Sequence, residues 1–128
     1  MIVPKEKSIF KIHNKNLNYL YQLRVGLSPL RAHKFRHNFL DTPNDLCSCQ
    51  SGIESNIHFL LKCPQFTTQR ELLMNTVQPI INTLPSIPDD KSWTNILLYG
   101  SKALNPTLNK KILIATLEYI QNTGRFAN

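Results

Sequence analysis

Cysteine is missing from this chain except in one short stretch. All three cysteines of the 128 residues lie between positions 47 and 63, in CSCQSGIESNIHFLLKC, with one of the four histidines. An odd number confined in this way does not make a disulfide framework. Long apolar runs are missing too: no 18 consecutive apolar residues occur, so no segment has the length of a membrane-spanning helix. The N-terminal MIVPKEKSIFKIHNK has neither a continuous apolar stretch nor a small-residue cleavage site. The expectation is an intracellular protein, nuclear or cytoplasmic and not secreted, in which thiols stay reduced. No Gly-rich phosphate loop is present, and the one pair of adjacent carboxylates, Asp89-Asp90, sits in a Pro-rich stretch where solvated loop residues are expected.

Acids are nearly absent from the first third. Residues 1–40 hold eight Lys or Arg (Lys5, Lys7, Lys11, Lys15, Arg24, Arg31, Lys34, Arg36) against Glu6 alone, whereas residues 41–128 hold seven of each sign. The whole net charge of +7 therefore belongs to the segment that also carries His13, His33 and His37. A positive field concentrated like this suits a polyanion.

What remains reads as helix. KNLNYLYQLRVG puts Leu17, Leu20, Tyr21 and Leu23 at helical spacing, and Gly26 stands where a left-handed residue ends a helix. SPLRAHKFRHNFL restarts with Ser28 as N-cap and Pro29 at the first helical position. Its Ala32, Phe35 and Phe39 form an apolar stripe, from which His33, Lys34, Arg36 and His37 are expected to project away. DTPND breaks this helix at Pro43. Thr68 and Glu71 read as a capping box opening QRELLMNTVQPIINTL, with Leu73, Val77, Ile80 and Leu84 as its apolar face. Pro79 is expected to kink or shorten it. Ser92 is expected to cap a short helix through WTNILLYG, stopping at Gly100. Asn105-Pro106 opens a last helix with Leu108, Ile112, Ala115 and Tyr119 on one stripe and Gly124 at its end. Strand-like alternation and internal repeats are lacking. The expected fold is all-α, one small helical domain with an irregular insert: a basic helical segment over 1–43, the insert over 44–66, and a C-terminal helical segment over 67–128.

The insert accounts for the cysteines. Cys47-x-Cys49, eight residues, His58, four residues and Cys63 offer four donors of the types that structural zinc sites use. Two cysteines one residue apart reach a common ion from a tight turn, and Gly52 lies where the intervening loop must reverse. His58 and Cys63 do not share a face of an ideal α-helix, so Cys63 is placed at a frayed end, favoured by Pro64. Four ligands and no spare make one structural Zn2+ with no open position. Three thiolates leave the site with a charge of about −1, which Arg36 or Lys62 is expected to offset. Zinc binding of about 10–16 kcal/mol in small peptides exceeds what so short an insert gains by burial. A Cys63–His58 nucleophilic pair is disfavoured by the two further cysteines beside it. His33 and His37, four apart, lack an acid or cysteine partner and suit phosphate contact or solvation.

LRVGLSPLRAHKFRHNFLDTPNDLC running on to HFLLKCP resembles the C-terminal region of non-LTR (LINE-type) retrotransposon reverse transcriptases, in which an L-R-x-G segment and a basic helix precede a zinc-binding Cys-Cys-His-Cys unit. LLYG and the closing TGRF are similar to the tails of animal elements of this kind, so that the resemblance covers roughly residues 17–126. It implies that Cys47, Cys49, His58 and Cys63 ligate zinc, and that the chain has the accessory role of holding RNA or DNA near a polymerase. The Tyr-x-Asp-Asp polymerase motif and any endonuclease constellation are absent from the chain, so it is expected not to be an enzyme.

The expected function is a zinc-stabilised nucleic-acid-binding accessory module. Arg24, Arg31, Lys34, Arg36, His37, Lys11 and Lys15 would meet phosphates on sequence-tolerant RNA or DNA. A reverse transcriptase core acting in trans is the expected protein partner, with no membrane and no small-molecule substrate. Tyr19, Tyr21 and Phe35, which can stack on unpaired bases, are expected in the core. The alternatives are a structural segment that folds against a protein partner and a non-functional retroelement remnant.

Overall fold

Three leucines at helical spacing begin the first helix. The computed structural model describes residues 17–127 and opens with α1, Leu17–Val25, whose Leu17, Leu20 and Leu23 are buried. Gly26 ends it in the left-handed conformation (φ 74°), and Leu27 N–H returns to Gln22 C=O at 3.0 Å. That bond spans the last turn as a Schellman motif does. Lys11 and Lys15 lie outside the described residues.

Helix α2, Arg31–Arg36, departs from the pattern in its sequence. Its N-cap is Leu30 without a side-chain bond, while the Ser28 hydroxyl accepts from Leu30 N–H one step earlier, at 3.1 Å. His33, expected at the surface, is buried. Its Nδ1 accepts from Ser28 N–H at 3.2 Å and lies 2.7 Å from Ser28 Oγ. Phe35 and Phe39, expected in the core, are exposed. The helix also stops well short of Pro43. Asn38 takes the left-handed conformation (φ 62°), its N–H bonding Phe35 C=O at 3.1 Å and the next N–H bonding Lys34 C=O at 3.1 Å. Asn tolerates this conformation better than most residues, so it serves as the stop.

After the insert, a 3-10 turn (Pro64–Phe66) leads into α3, Thr67–Ile81. The Thr68–Glu71 capping box does not form: the N-cap is Phe66, and the Thr67 hydroxyl donates back to Pro64 C=O. The helix passes Pro79, which is exposed in its last turn, and ends at Ile81, short of the expected Leu84. Helix α4, Asp90–Tyr99, is capped by Asp89 rather than Ser92, the carboxylate accepting from Ser92 N–H at 2.8 Å. Asp89 and Asp90 are thus the cap and first turn of a helix, where negative charge is favoured. Helix α5, Pro106–Thr123, starts from an Asn105 cap that accepts Leu108 N–H at 2.9 Å and ends at left-handed Gly124.

Helix α5 is the centre of the molecule. Ile112, Leu113, Ala115, Thr116, Leu117, Tyr119 and Ile120 are all buried, more than one stripe of a helix that meets neighbours on several sides. Helices α3, α4 and α1 pack on it, and the Thr116 hydroxyl donates to Leu97 C=O in α4 at 2.9 Å. The described residues are helical with no strand, and one antiparallel bridge, Leu46 to Ile53, closes the insert.

Candidate metal centre

The insert folds as two pieces that meet. Cys47 N–H donates to Gly52 C=O and Glu54 N–H to Asp45 C=O, both at 2.9 Å, making a minimal hairpin about the Leu46–Ile53 bridge. Gln50 N–H closes the tip on Cys47 C=O at 2.9 Å, and the left-handed residue of the reversal is Gln50 (φ 64°), not Gly52. Gly52 instead leaves room for the imidazole: a Cβ there would stand 3.6 Å from His58 Nδ1. Cys47 and Cys49 therefore project from one tight turn towards a common point.

The second piece answers the spacing problem of His58 and Cys63. On an α-helix, residues five apart diverge by about 140°. The chain forms a π-helical turn over His58–Lys62 instead, with Cys63 N–H donating to His58 C=O at 2.7 Å, so that the two side chains return to one side. Pro64 lacks an N–H and cannot continue the turn. The carbonyls left over are taken up by Arg70, which donates to Leu60 C=O at 3.1 Å and Cys63 C=O at 2.8 Å, and by the buried Tyr119 hydroxyl, which donates to Phe59 C=O. Burial pushes the Tyr119 hydroxyl up to about 12, so it stays a donor.

The outcome is a cluster of four donors, Cys47, Cys49, His58 and Cys63, whose ligand atoms all lie within 4.8 Å of one another. Cys47 Sγ and Cys63 Sγ are 3.8 Å apart, and Cys49 Sγ is 3.3 Å from His58 Nε2. Cys47, His58 and Cys63 are buried and Cys49 is half-buried. The four are placed to hold one metal ion. Ser51 supports Cys49, its N–H donating to the sulfur at 3.4 Å with its hydroxyl 3.0 Å away, which holds that thiol down to about 6. Burial raises Cys47 and pushes Cys63 up to about 12. Three sulfurs this close ionise together only when a cation stands among them.

Phe59 anchors the cluster in the core. Its ring centroid lies 5.6 Å from Phe66, 5.4 Å from Tyr119 and 5.4 Å from Phe126, and Phe126 meets Tyr19 of α1 edge-on at 5.4 Å. Such aromatic pairs contribute about 0.5–1.5 kcal/mol each beyond their burial. Tyr19 thus packs on the core as expected, while Tyr21 is exposed at its margin.

Residues that sequence spacing does not reveal complete the surroundings. Glu54 is buried beside Cys47, its Oε2 3.9 Å from the sulfur, and its carboxylate takes Arg31 N–H at 2.8 Å. Arg125 grips it with Nε at 2.7 Å and Nη2 at 2.6 Å, and also donates to Pro29 C=O at 2.9 Å. Arg125 reaches the cluster through this path, a cation beyond the expected Arg36 and Lys62. Lys62 pairs with Asp90 at 3.1 Å, and Arg36 Nη1 lies over Gly26, 3.2 Å from where a Cβ would stand. The TGRF ending is thus structural: its Arg locks the insert and its Phe fills the core.

The cationic candidates separate by environment. Arg24 donates to Leu98 C=O at 2.7 Å and lies between the Tyr21 and Tyr99 rings, so it ties α1 to α4. Arg31 is half-buried, its guanidinium reaching Leu46 C=O at 3.3 Å, and Lys34 pairs with Asp41 at 2.7 Å. Arg36 and His37 are exposed. Compared with protein-family models, curated proteins and solved structures, the chain finds no match.

Proposed function

We propose that the chain is a zinc-stabilised module that binds nucleic acid sequence-tolerantly as an accessory to a polymerase. The observation that carries the zinc assignment is the donor cluster. Tetrahedral Zn2+ with Zn–S of about 2.3 Å and Zn–N of about 2.0–2.1 Å sets donor separations of about 3.8 Å for S···S and about 3.6 Å for S···N. The 3.8 Å between Cys47 and Cys63 matches the first, and the 3.3 Å between Cys49 and His58 is close to the second. Soft thiolates with an imidazole favour zinc over the hard cations that carboxylates and water select.

The nucleic-acid half rests on charge. The net +7 of the chain, carried by its first third, and the exposed Arg36 and His37 beside Arg31 and Lys34 support contact with phosphates. Resemblance of the Cys-Cys-His-Cys unit and its basic helix to the tail of LINE-type reverse transcriptases supports the same role. A cleft between α3 and α5 has Glu118 and Tyr119 as its titratable lining, and a second, beside Trp93, has no titratable lining; neither of these two sets a nucleophile beside a base.

The experiment loads the purified chain with zinc and measures Kd for short RNA and DNA against salt. Four to six phosphate contacts give a slope of log K on log salt of about −3 to −5. No binding, or binding flat with salt, overturns the proposal. A second reading, a segment that docks on a protein partner, draws on the exposed Leu27, Phe35, Phe39, Leu40, Leu46 and Ile53. It expects self-association or capture by a polymerase core instead.

A further inference from the structure

Helix α2 turns outward the rings that its spacing assigns to the core. Phe35 is 44% exposed and Phe39 53%. The cause is His33, held inward by Ser28; two residues along a helix rotate by about 200°, so burying His33 delivers Phe35 to solvent. The left-handed Asn38 then folds Phe39 back over the helix end, where Lys34 Nζ stands 5.5 Å from its ring centroid. Among the described residues neither ring pairs with another aromatic, unlike Phe59, Phe66 and Phe126.

Cations are interleaved with these rings. Lys34, Arg36 and His37 lie between or beside them in sequence, Arg31 sits one turn earlier, and the nearby acid is Asp41, paired with Lys34 at 2.7 Å. A protein interface places charge at its rim and depletes it from the apolar centre. Flat rings with cations set among them match single-stranded nucleic acid, in which unpaired bases need a stacking surface and the phosphates between them need positive charge. We propose that Phe35 and Phe39, with Arg36 and His37 between them in sequence and Lys34 beside Phe39, form a stacking platform for unpaired bases. This rests on the nucleic-acid reading above and narrows its ligand to the single-stranded class.

The test compares the zinc-loaded full chain with the Phe35→Ala/Phe39→Ala and Phe35→Tyr/Phe39→Tyr variants, on a single-stranded oligonucleotide and on a duplex. Because both rings are exposed, zinc stoichiometry and helicity serve as controls for folding. The alanine pair should weaken single-strand binding by at least about 25-fold, about 5-fold per ring at the lower end for base stacking. Duplex binding and the salt slope should be unchanged, since no charge is removed, and the tyrosine pair should restore single-strand affinity. If the alanine pair binds single strands like the unaltered chain, the platform is refuted while nucleic-acid binding stands. If the unaltered chain binds neither ligand, both proposals fall. If the alanine pair loses only concentration-dependent self-association, the face is a protein interface and the platform is equally refuted.

Discussion

Replacing Arg125 by alanine tests how the metal-binding insert is held. The substitution leaves the Glu54 carboxylate, 4% exposed, with Arg31 N–H as its remaining donor and removes two charge-assisted bonds of 2.7 and 2.6 Å. It also removes the bond to Pro29 C=O at 2.9 Å. Stranding one member of a buried pair costs about 3–5 kcal/mol. The Arg125 side chain is itself 27% exposed, which weakens the pair and places the expected loss near the lower bound, about 3 kcal/mol. Glu54→Gln should cost less, about 1–2 kcal/mol, because the amide oxygen still accepts from Arg31 and a freed Arg125 can hydrate. Urea denaturation of the single and double variants, followed by circular dichroism at fixed free zinc, gives the coupling energy between the two side chains. The stranded carboxylate 3.9 Å from Cys47 Sγ should also weaken zinc binding about 10-fold or more, read by competition with a chromogenic chelator. Coupling near zero together with unchanged zinc affinity would refute the reasoning.

Native mass spectrometry of the unaltered chain should show one zinc per chain, which Cys49→Ser and His58→Ala should each abolish, and strong chelator should unfold the unaltered insert; a metal-free chain unchanged in chelator would contradict the metal assignment. His33 predicts a pH dependence. Burial first, then Arg36 and His37, lowers its pKa below 6.5, so the unfolded chain takes up the proton before the folded one as pH falls. Its contribution to stability is present above about 6.5 and declines below that, as Nδ1 must stop accepting from Ser28 N–H. His33→Leu should flatten this segment of the pH–stability curve; an unchanged slope would assign it elsewhere. Gly100→Ala should be costlier than Gly124→Ala. Both have positive φ, but a Cβ at Gly100 meets Asn109 Oδ1 at 2.7 Å, where that atom accepts Ser101 N–H, whereas at Gly124 it meets nothing within 4 Å. We expect about 1 kcal/mol at Gly124 and about 2–3 kcal/mol at Gly100 by thermal denaturation.

Local chemistry was legible in the sequence wherever one residue type decides the matter. Gly26, Gly100 and Gly124 end helices with positive φ, Asn105-Pro106 opens one, and the leucines of α1 are buried. The four metal donors were legible because few uses other than metal gather three sulfurs and an imidazole in so short a stretch. Periodicity failed on α2, which at six residues is under two turns and too short for a stripe to be reliable. There one buried hydrogen bond, His33 to Ser28, outweighed the exposure of two phenylalanines. The capping box on Thr68 failed because the 3-10 turn before it had already set the helix entry at Thr67.

The supports of the metal site were illegible for a different reason: they are separated from it in sequence and joined by shape alone. Arg125 meets Glu54 across 71 residues, Tyr119 meets Phe59 across 60, and Asn56 donates to Leu23 C=O across 33. Each brings a different element onto the insert: the C-terminal end, α5 and α1. An appendage held by its ion alone would need none of these bonds. The insert is better understood as the part through which α1 and α2 reach α5, and an ion held by the four donors would fix the geometry that Glu54, Phe59 and the π turn transmit. On that account an ion bound at the cluster would bear on the position of the basic helix α2, because Ala32 N–H and Arg31 N–H both end on Glu54, seven residues from Cys47. The charge that suits nucleic acid and the donors that suit zinc are therefore coupled through one buried glutamate.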